Sequence, residues 1–233
     1  MVRWAFLVLA GCGFSKQLAE TGDDMQVTAD ANGNGSNDAR DDGSTAMVID
    51  LPATADTFLR QQFPTELHGG DVNQRCGSGD PANCCTNRAV YRFDLTALPG
   101  TCTIAKAELR SYYYAQDYSD RSPMLGAHRL TSDWVELQAS WNSRASGTGW
   151  NTSGGDFEPT AVATVVATAG AYGWLAWDVT TLAQAWHAAT VPNYGVIVVE
   201  PNDVNGADRG RKFFHTRETS TTANRPHLRV SCQ

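Results

Sequence analysis

After residue 46, the chain alternates between short apolar stretches and clusters of Gly, Asn, Asp, Ser and Pro. Stretches of this length, bounded by turn-forming residues, predict β-strands, and their polar connections favour antiparallel pairing over βαβ units. We therefore predict an all-β fold, a two-sheet antiparallel sandwich over residues 47–233. The predicted strands cover residues 56–60, 88–93, 105–114, 125–130, 161–166, 174–177, 194–200, 212–216 and 227–231.

Two of these stretches also indicate how their strands are exposed. In residues 105–110, small or apolar residues alternate with charged ones, which predicts a strand with one face in solvent. Residues 195–199 read Gly-Val-Ile-Val-Val, with no polar side chain. We expect this second strand to lie centrally in its sheet, with both faces covered.

One segment has helical spacing instead. We predict a single short helix over residues 179–187, with Asp178 as its N-cap. Asp94 stands in the same relation to a short turn at residues 95–99. Both aspartates are therefore interpreted as caps, although either carboxylate is also a candidate catalytic acid. The residues at the spacing of one helix face are Val179, Leu182, Ala183 and Trp186.

The first twelve residues have the order of a secretory signal: Arg3, an apolar run at residues 4–11, then Cys12 after small residues. The run is too short to span a membrane. Leu9-Ala10-Gly11-Cys12 resembles the bacterial lipobox, in which the cysteine is acylated. We expect residues 1–12 to be a lipoprotein signal peptide, with the lipidated Cys12 as the only membrane contact. The alternative is a buried N-terminal strand that contains Cys12. The expected location is outside the cytoplasm, anchored to the bacterial cell envelope or released.

Residues 13–46 contain almost no core-forming side chains. From Asp30 to Ser44, twelve of fifteen positions are Asp, Asn, Gly or Ser, so we predict a disordered tether. The alternative is a calcium loop from Asp30 to Asp41, because the oxygen-bearing residues have suitable spacing. No apolar-periodic helix flanks that segment. We therefore expect no required cofactor, and structural calcium is unsupported by the sequence.

The cysteines agree with export. Cys76, Cys84 and Cys85 lie in one loop-like stretch, where a disulfide from Cys76 to Cys84 or Cys85 is favoured over a zinc knuckle because paired C-x-x-C spacing is absent. Cys102 precedes one predicted strand and Cys232 ends the last, so these two are candidates for a second bridge. Five cysteines after Cys12 leave one unassigned.

Charge and motifs exclude several function classes. The net charge is −7; residues 13–46 carry −5 and Arg3 adds one positive charge, which leaves −3 for the domain. An acidic domain without basic blocks is a poor nucleic-acid binder. G-x-S-x-G and H-E-x-x-H motifs are absent, and the histidines are scattered. Loop acids such as Asp203 and Asp208 are candidates for glycosidase chemistry, but solvated loop acids are common. We expect no enzyme activity.

The domain resembles the DNRLRE-domain family, also described as a disaggregatase-related carbohydrate-binding module. The matching elements run in family order over almost all of residues 53–232. They are Ala55-Asp56-Thr57-Phe58-Leu59-Arg60, Asn87-Arg88-Ala89-Val90-Tyr91-Arg92-Phe93-Asp94-Leu95, Leu98-Pro99, Ala105-x-Ala107-x-Leu109, His128-Arg129-Leu130, Trp134-x-Glu136, Ser140-Trp141-Asn142, Trp177-Asp178-Val179-Thr180, Trp186, Asn193-Tyr194-Gly195, Phe214-His215-Thr216-Arg217-Glu218 and Asn224-Arg225-Pro226-His227-Leu228.

The resemblance implies a secreted β-jelly-roll that in some members binds acidic polysaccharide such as alginate. The cysteine-rich insertion at residues 76–85 departs from the common pattern, at a place suited to a binding loop. The expected function is non-catalytic binding of an acidic polysaccharide, with polysaccharide or a cell-surface matrix as partner. The alternative is a structural or adhesive surface protein without a specific sugar site.

Strand alternation supplies the candidate site. Glu108, Arg110, Tyr112 and Tyr114 share one face of their strand. If that strand pairs with residues 88–93, Arg92 joins Arg110 and Tyr112 in a cationic, aromatic patch that suits acidic sugars. The alternative is that Arg92 and Glu108 form a structural ion pair. The motif tryptophans are expected in the core: Trp141, Trp177 and Trp186.

Overall fold

The computed structural model describes residues 47–78, 86–117, 120–201 and 210–233. The interpretations of Cys12, the tether and the Asp30 loop lie outside these residues. No helix in the described ranges is both long and apolar enough to cross a membrane. The elements are β1 Met47–Arg60, β2 Asn73–Ser78, β3 Thr86–Phe93, β4 Ile104–Gln116, β5 Met124–Arg129, β6 Ser143–Ala145, β7 Thr148–Gly149, β8 Ala163–Val166, β9 Gly173–Asp178, α1 Thr180–His187, β10 Val196–Val199, β11 Lys212–His215 and β12 His227–Cys232.

All strand pairs among the described residues are antiparallel, which confirms the all-β prediction. We call the group β12, β4, β11 and β9 the front sheet, and the group β3, β10, β5 and β8 the back sheet. In the front sheet, β12 and β11 follow one another along one edge of β4, while β9 pairs with the other edge. In the back sheet, β10 lies between β3 and β5, and β8 pairs with β5.

The predicted separation into two sheets of a jelly-roll sandwich needs correction, because β1 and β2 pair in both sheets. The first part of β1 pairs with β12 and the rest pairs with β3, with a register shift between Ala53 and Ala55 where the strand bends. The strand β2 pairs with β11 and, through Gly77 and Ser78, with β3. Six strands therefore close a barrel-like ring, in the order β1, β12, β4, β11, β2 and β3.

The main core lies between the front and back sheets. The Tyr91 hydroxyl of β3 donates a 2.9 Å hydrogen bond to Ser111 Oγ of β4 across this interior. The helix α1 packs on the core through Leu182, Ala183 and Trp186, as its spacing predicts. The helix begins at Thr180, so Val179 rather than Asp178 occupies the N-cap position. Asp178 lies one residue earlier, and its Oδ1 accepts from the Thr180 backbone N–H at 3.0 Å.

A second, smaller core covers the outer face of the back sheet. Residues 131–158 place three tryptophan side chains over Val90 and Ile197. All four residues of β10 are buried, so the prediction of a central strand covered on both faces is confirmed. The tryptophans that the sequence placed in the core, Trp141, Trp177 and Trp186, are also buried. The tryptophans of the second core are Trp134, Trp141 and Trp150.

Among the described residues, a disulfide between Cys102 and Cys232 links the entrance of β4 to the end of β12, with Cα atoms 5.0 Å apart. This confirms that pair. Cys76 is buried in β2, with its Sγ 3.3 Å from the Val198 carbonyl oxygen. Cys84 and Cys85 lie outside the described residues, so the loop disulfide stays a prediction.

Candidate functional site

The outer face of the front sheet is built by alternation along its strands. In β4, Leu109, Ser111 and Tyr113 point into the core and are fully buried, whereas Arg110 and Tyr112 point outward and are half-buried. Antiparallel pairing places side chains of the neighbouring strands on the same face, because directly opposed residues project to the same side. The outer face therefore collects large side chains from β4, β9, β11 and β12.

Six of these side chains form a continuous row of rings, which we call the aromatic ribbon. Tyr114 lies 6.5 Å from Phe213 and stacks on His215 at 4.4 Å. Tyr112 lies 5.7 Å from His215 and meets the edge of Trp174 at 5.3 Å. Trp174 contacts His227 at 4.8 Å. The ribbon members are Phe213, Tyr114, His215, Tyr112, Trp174 and His227, all half-buried.

An arginine lies at each end of the ribbon. The Arg75 guanidinium of β2 lies 5.4 Å from the Phe213 ring centroid, and the Arg110 guanidinium lies 5.5 Å from that of Trp174. Arg75 and Arg110 have neither a hydrogen bond nor an ion pair with the described residues, and the buried Nε of each is unpartnered. Burial and the neighbouring guanidinium of Arg211 lower the pKa of Arg75.

The other cations of this face are already paired. Arg229 donates two 2.7 Å hydrogen bonds to the Asp50 carboxylate, and Arg211 pairs with Asp117. These ion pairs use donors that a carboxylate ligand would otherwise bind. The unpaired positive charge of the described face therefore lies at the two ends of the aromatic ribbon.

The span of the ribbon follows from the strand register. Arg75 is opposite Phe213, and Phe213 is opposite Ala115 of β4. Arg110 lies earlier on the same strand, so two strand spacings and a run along β4 separate the two arginines. Strand geometry makes their Cα separation roughly 20 Å. A face of this length suits an extended chain better than a single small molecule.

The structure brings together two of the three predicted site residues. Arg110 and Tyr112 lie on the aromatic face, but Arg92 does not, because β3 and β4 lie on opposite sides of the core and do not pair. The predicted patch of all three residues therefore needs correction. Arg92 Nη2 lies 2.5 Å from Asp133 Oδ1. The alternative ion pair to Glu108 is also not seen, since Glu108 pairs with Lys106 at 2.6 Å.

Several residues of this face were missed from the sequence. Arg75 lies in β2, whose Asn-Gln-Arg-Cys-Gly-Ser sequence has no strand-like apolar pattern. Phe213 and His215 alternate with buried Phe214, and this period-2 signal was available in the predicted strand 212–216. Trp174 lies in another predicted strand. What the sequence lacked was the order of strands that joins these positions.

A separate group of acidic side chains has the geometry to hold a cation. One carboxylate oxygen from each of Asp56, Glu136 and Glu218 lies within 4.8 Å of the other two. They belong to β1, to the 3₁₀ turn Glu136–Gln138 and to the loop between β11 and β12. We call this group the acidic cluster. It shares no residue with the aromatic ribbon, and it offers carboxylate oxygens only.

Comparison with known proteins agrees with this geometry. No curated protein matches the sequence. The model of Carbohydrate-binding module family 96 matches residues 48–232, which takes in both sheets, the second core and the aromatic ribbon. The match covers well over half of the chain. The chain therefore belongs to Carbohydrate-binding module family 96.

Proposed function

We propose that the protein is a non-catalytic module that binds an acidic polysaccharide along the aromatic ribbon. The observation that carries this proposal is the row of half-buried rings with an unpaired arginine at each end. Aromatic faces stack on the apolar faces of sugar rings, and a guanidinium fork binds a carboxylate through two parallel hydrogen bonds. Together these contacts favour uronate chains over neutral ones.

The settings of Arg75 and Arg110 support the choice of an anionic ligand. Each guanidinium already lies against an aromatic ring and has donors to spare. A carboxylate that binds there displaces no protein partner. Charge pairing at a half-exposed surface is screened by salt, with a Debye length of about 8 Å at physiological ionic strength. Binding is therefore expected to weaken as salt rises.

Affinity gels that contain alginate, pectate or a neutral polysaccharide test the proposal. We expect wild-type protein to be retarded by the acidic gels, and Arg75→Ala and Arg110→Ala each to lose about tenfold or more in affinity, because a hydrogen bond to a charged group contributes about 1.5–3 kcal/mol. Arg129→Ala is the matched control, since Arg129 also lies on a strand but pairs with Glu158 at 2.7 Å.

The possible outcomes test the ligand class, the assigned surface and sugar binding separately. Equal retardation by neutral and acidic gels would contradict the preference for uronates while leaving sugar binding in place. Equal losses for Arg110→Ala and Arg129→Ala would contradict the assigned surface. Absence of retardation in every gel would support the alternative, a structural or adhesive surface protein.

We also propose that the module is displayed on a lipid anchor at Cys12 by the tether of residues 13–46. Binding at a half-exposed surface is weak per sugar, and many tethered copies on one surface gain avidity through effective concentration. Cys12→Ser is expected to release the protein from membrane fractions. An unchanged membrane yield would contradict the anchor without touching the sugar-binding proposal.

A further inference from the structure

The acidic cluster joins three parts of the chain that are distant in sequence. Asp56 belongs to β1 where this strand pairs with β3. Glu136 begins the 3₁₀ turn of the segment that covers the back sheet, and Glu218 lies in the loop after β11. Carboxylates repel one another unless something neutralises them. Their convergence within 4.8 Å therefore requires either a compensating charge or the protonation of a carboxyl group.

Hydrogen bonds fix part of the cluster. Glu136 Oε1 accepts from the Asp56 backbone N–H at 2.8 Å, and its Oε2 accepts from Arg217 Nη1 at 2.8 Å. Asp56 Oδ2 accepts from the Arg217 backbone N–H at 2.8 Å. These bonds hold the three segments in place and orient the carboxylates toward one another.

Two carboxylate oxygens of the cluster are left without a hydrogen-bond partner. Asp56 Oδ1 and Glu218 Oε2 are both buried and unpartnered among the described residues. The whole Asp56 residue is only 1% exposed. A buried carboxylate oxygen without a donor is costly, because water no longer solvates it. These two oxygens are therefore the ones available to a ligand that supplies positive charge.

The charge of the cluster points to a cation. Three carboxylates face a single guanidinium, that of Arg217, whose Nη1 lies 2.8 Å from Glu136 and 3.6 Å from Glu218. With all groups ionised, the cluster carries two uncompensated negative charges. A divalent ion would balance the excess charge.

We propose that Asp56, Glu136 and Glu218 form a calcium site that ties β1, the segment over the back sheet and the β11–β12 loop together. Ca²⁺ takes six to eight oxygen ligands at about 2.3–2.6 Å and tolerates irregular geometry. Oxygens of one such coordination sphere lie at most about 5 Å apart, which matches the cluster. The absence of His and Cys from the three ligands disfavours zinc.

Occupancy of this site also bears on the aromatic ribbon. His215 ends β11 and belongs to the ribbon, and Arg217 and Glu218 follow in the same loop. A bound Ca²⁺ would hold the start of that loop against β1. We therefore expect the ion to order the ribbon around His215 as well as to stabilise the fold.

The test uses the full chain, freed of metal with a chelator and titrated with Ca²⁺ by calorimetry and thermal unfolding. We expect one Ca²⁺ per chain at this site, and an unfolding midpoint raised by about 5–10 °C at a hundredfold excess over the Kd. Asp56→Asn and Glu218→Gln, which keep the side-chain shape, should each abolish the calcium-dependent shift.

A paired control separates this site from the acidic loop near the N-terminus. The double variant Asp30→Asn and Asp41→Asn should keep the full shift in unfolding midpoint, because it leaves the acidic cluster intact. Asp56→Asn should fold without metal, since it removes a buried charge; if it does not fold, Glu218→Gln gives the same test at a half-buried position.

Three results would overturn the proposal. The first is an unfolding midpoint of wild-type protein that does not respond to Ca²⁺, as expected if Asp56 simply stays protonated. The second is an unchanged calcium shift in both cluster variants. The third is equal binding of Mg²⁺, which would contradict calcium as the resident ion, because Mg²⁺ demands a tighter octahedral geometry.

Discussion

Each outer face of the domain places an arginine over a tryptophan, and the two pairs differ in what surrounds them. On the back sheet, the Arg92 guanidinium lies 4.9 Å from the Trp134 ring centroid and donates a hydrogen bond to Asp133. Trp134 itself is only 2% exposed. On the front sheet, the Arg110 guanidinium lies 5.5 Å from the ring centroid of the half-buried Trp174. Arg110 has no acidic partner among the described residues.

The difference arises from a segment far away in sequence. Residues 131–158 fold over the back sheet and supply both Trp134 and the carboxylate of Asp133. The same pair of residue types is therefore part of a core on one face and part of a candidate binding surface on the other. Arginine next to an aromatic ring indicates a ligand site only where its remaining donors are unused.

Replacing Trp134 or Trp174 by alanine should lower the free energy of unfolding by very different amounts, and this is the greatest change that we expect. Trp134→Ala should lower the free energy of unfolding by about 3–5 kcal/mol, because it empties a packed site and removes the 2.9 Å hydrogen bond from Nε1 to the Tyr194 carbonyl. Trp174→Ala should cost clearly less, since its ring is partly in solvent. Urea denaturation measures both. Equal losses would contradict the distinction between core and surface.

The next effect concerns the crosslink that closes the front sheet. The disulfide of Cys102 and Cys232 joins residues 130 positions apart, so the double variant to Ser should lower the free energy of unfolding by about 2–5 kcal/mol. Sugar affinity of the folded variant should stay unchanged, because neither sulfur belongs to the ribbon. A loss of affinity at temperatures where the variant is fully folded would show that the ribbon depends on the crosslink.

The two arginines should respond in opposite ways. Arg92→Ala is expected to lower the free energy of unfolding by about 1–2 kcal/mol, because it leaves the buried Trp134 carbonyl without a donor, with sugar affinity unchanged. Arg110→Ala should leave stability nearly unchanged and weaken binding. Urea denaturation measures the stability of both variants, and affinity gels measure their binding. If Arg92→Ala weakens binding while the protein is fully folded, the ligand lies on the back-sheet face and the proposed front-sheet site is wrong.

The smallest expected effect is a dependence on pH. Burial lowers the pKa of His215 and of His227 below the usual value of about 6.5, so both rings are neutral at pH 7. As the pH falls below about 6.5, protonation adds positive charge to the ribbon, and affinity for a uronate chain should rise a few-fold. His215→Gln with His227→Gln should flatten this rise.

Stability should change in the opposite direction over the same pH range. A folded-state pKa below the unfolded one means that the unfolded chain binds more protons there, so the contribution of these histidines to stability is present above about pH 6.5 and is lost as the pH falls. The difference in unfolding free energy between wild type and the double Gln variant measures it. A difference that grows as the pH falls, in favour of wild type, would contradict the lowered pKa values.

Much of the fold follows from local sequence pattern. All nine predicted stretches contain strands, α1 lies where its apolar spacing places it, and Asp94 and Asp178 accept from the backbone N–H two residues on. These features depend on a few neighbouring residues. The strand β2 was missed because its side chains are polar, and it is buried only through pairing with β11 and β3.

The site depends on information that is not local. Strand alternation correctly placed Arg110 and Tyr112 on one outward face, because alternation is a property of a single strand. Which strands pair, and which face another segment covers, depends on contacts between distant residues. For that reason Arg92 was grouped with Arg110 although the core separates them, and Arg75 was missed.

Titration with a uronate oligosaccharide, followed at the indole groups, shows which face of the domain the ligand occupies. Two-dimensional NMR resolves the indole N–H signals of the tryptophans, among them Trp174 in the ribbon and Trp134 and Trp150 in the second core, whose Nε1 groups donate to backbone carbonyls. A ligand bound along the aromatic ribbon should shift the Trp174 signal in a saturable manner while the other two stay in place. Shifts of Trp134 or Trp150 without a shift of Trp174 would contradict binding along the ribbon.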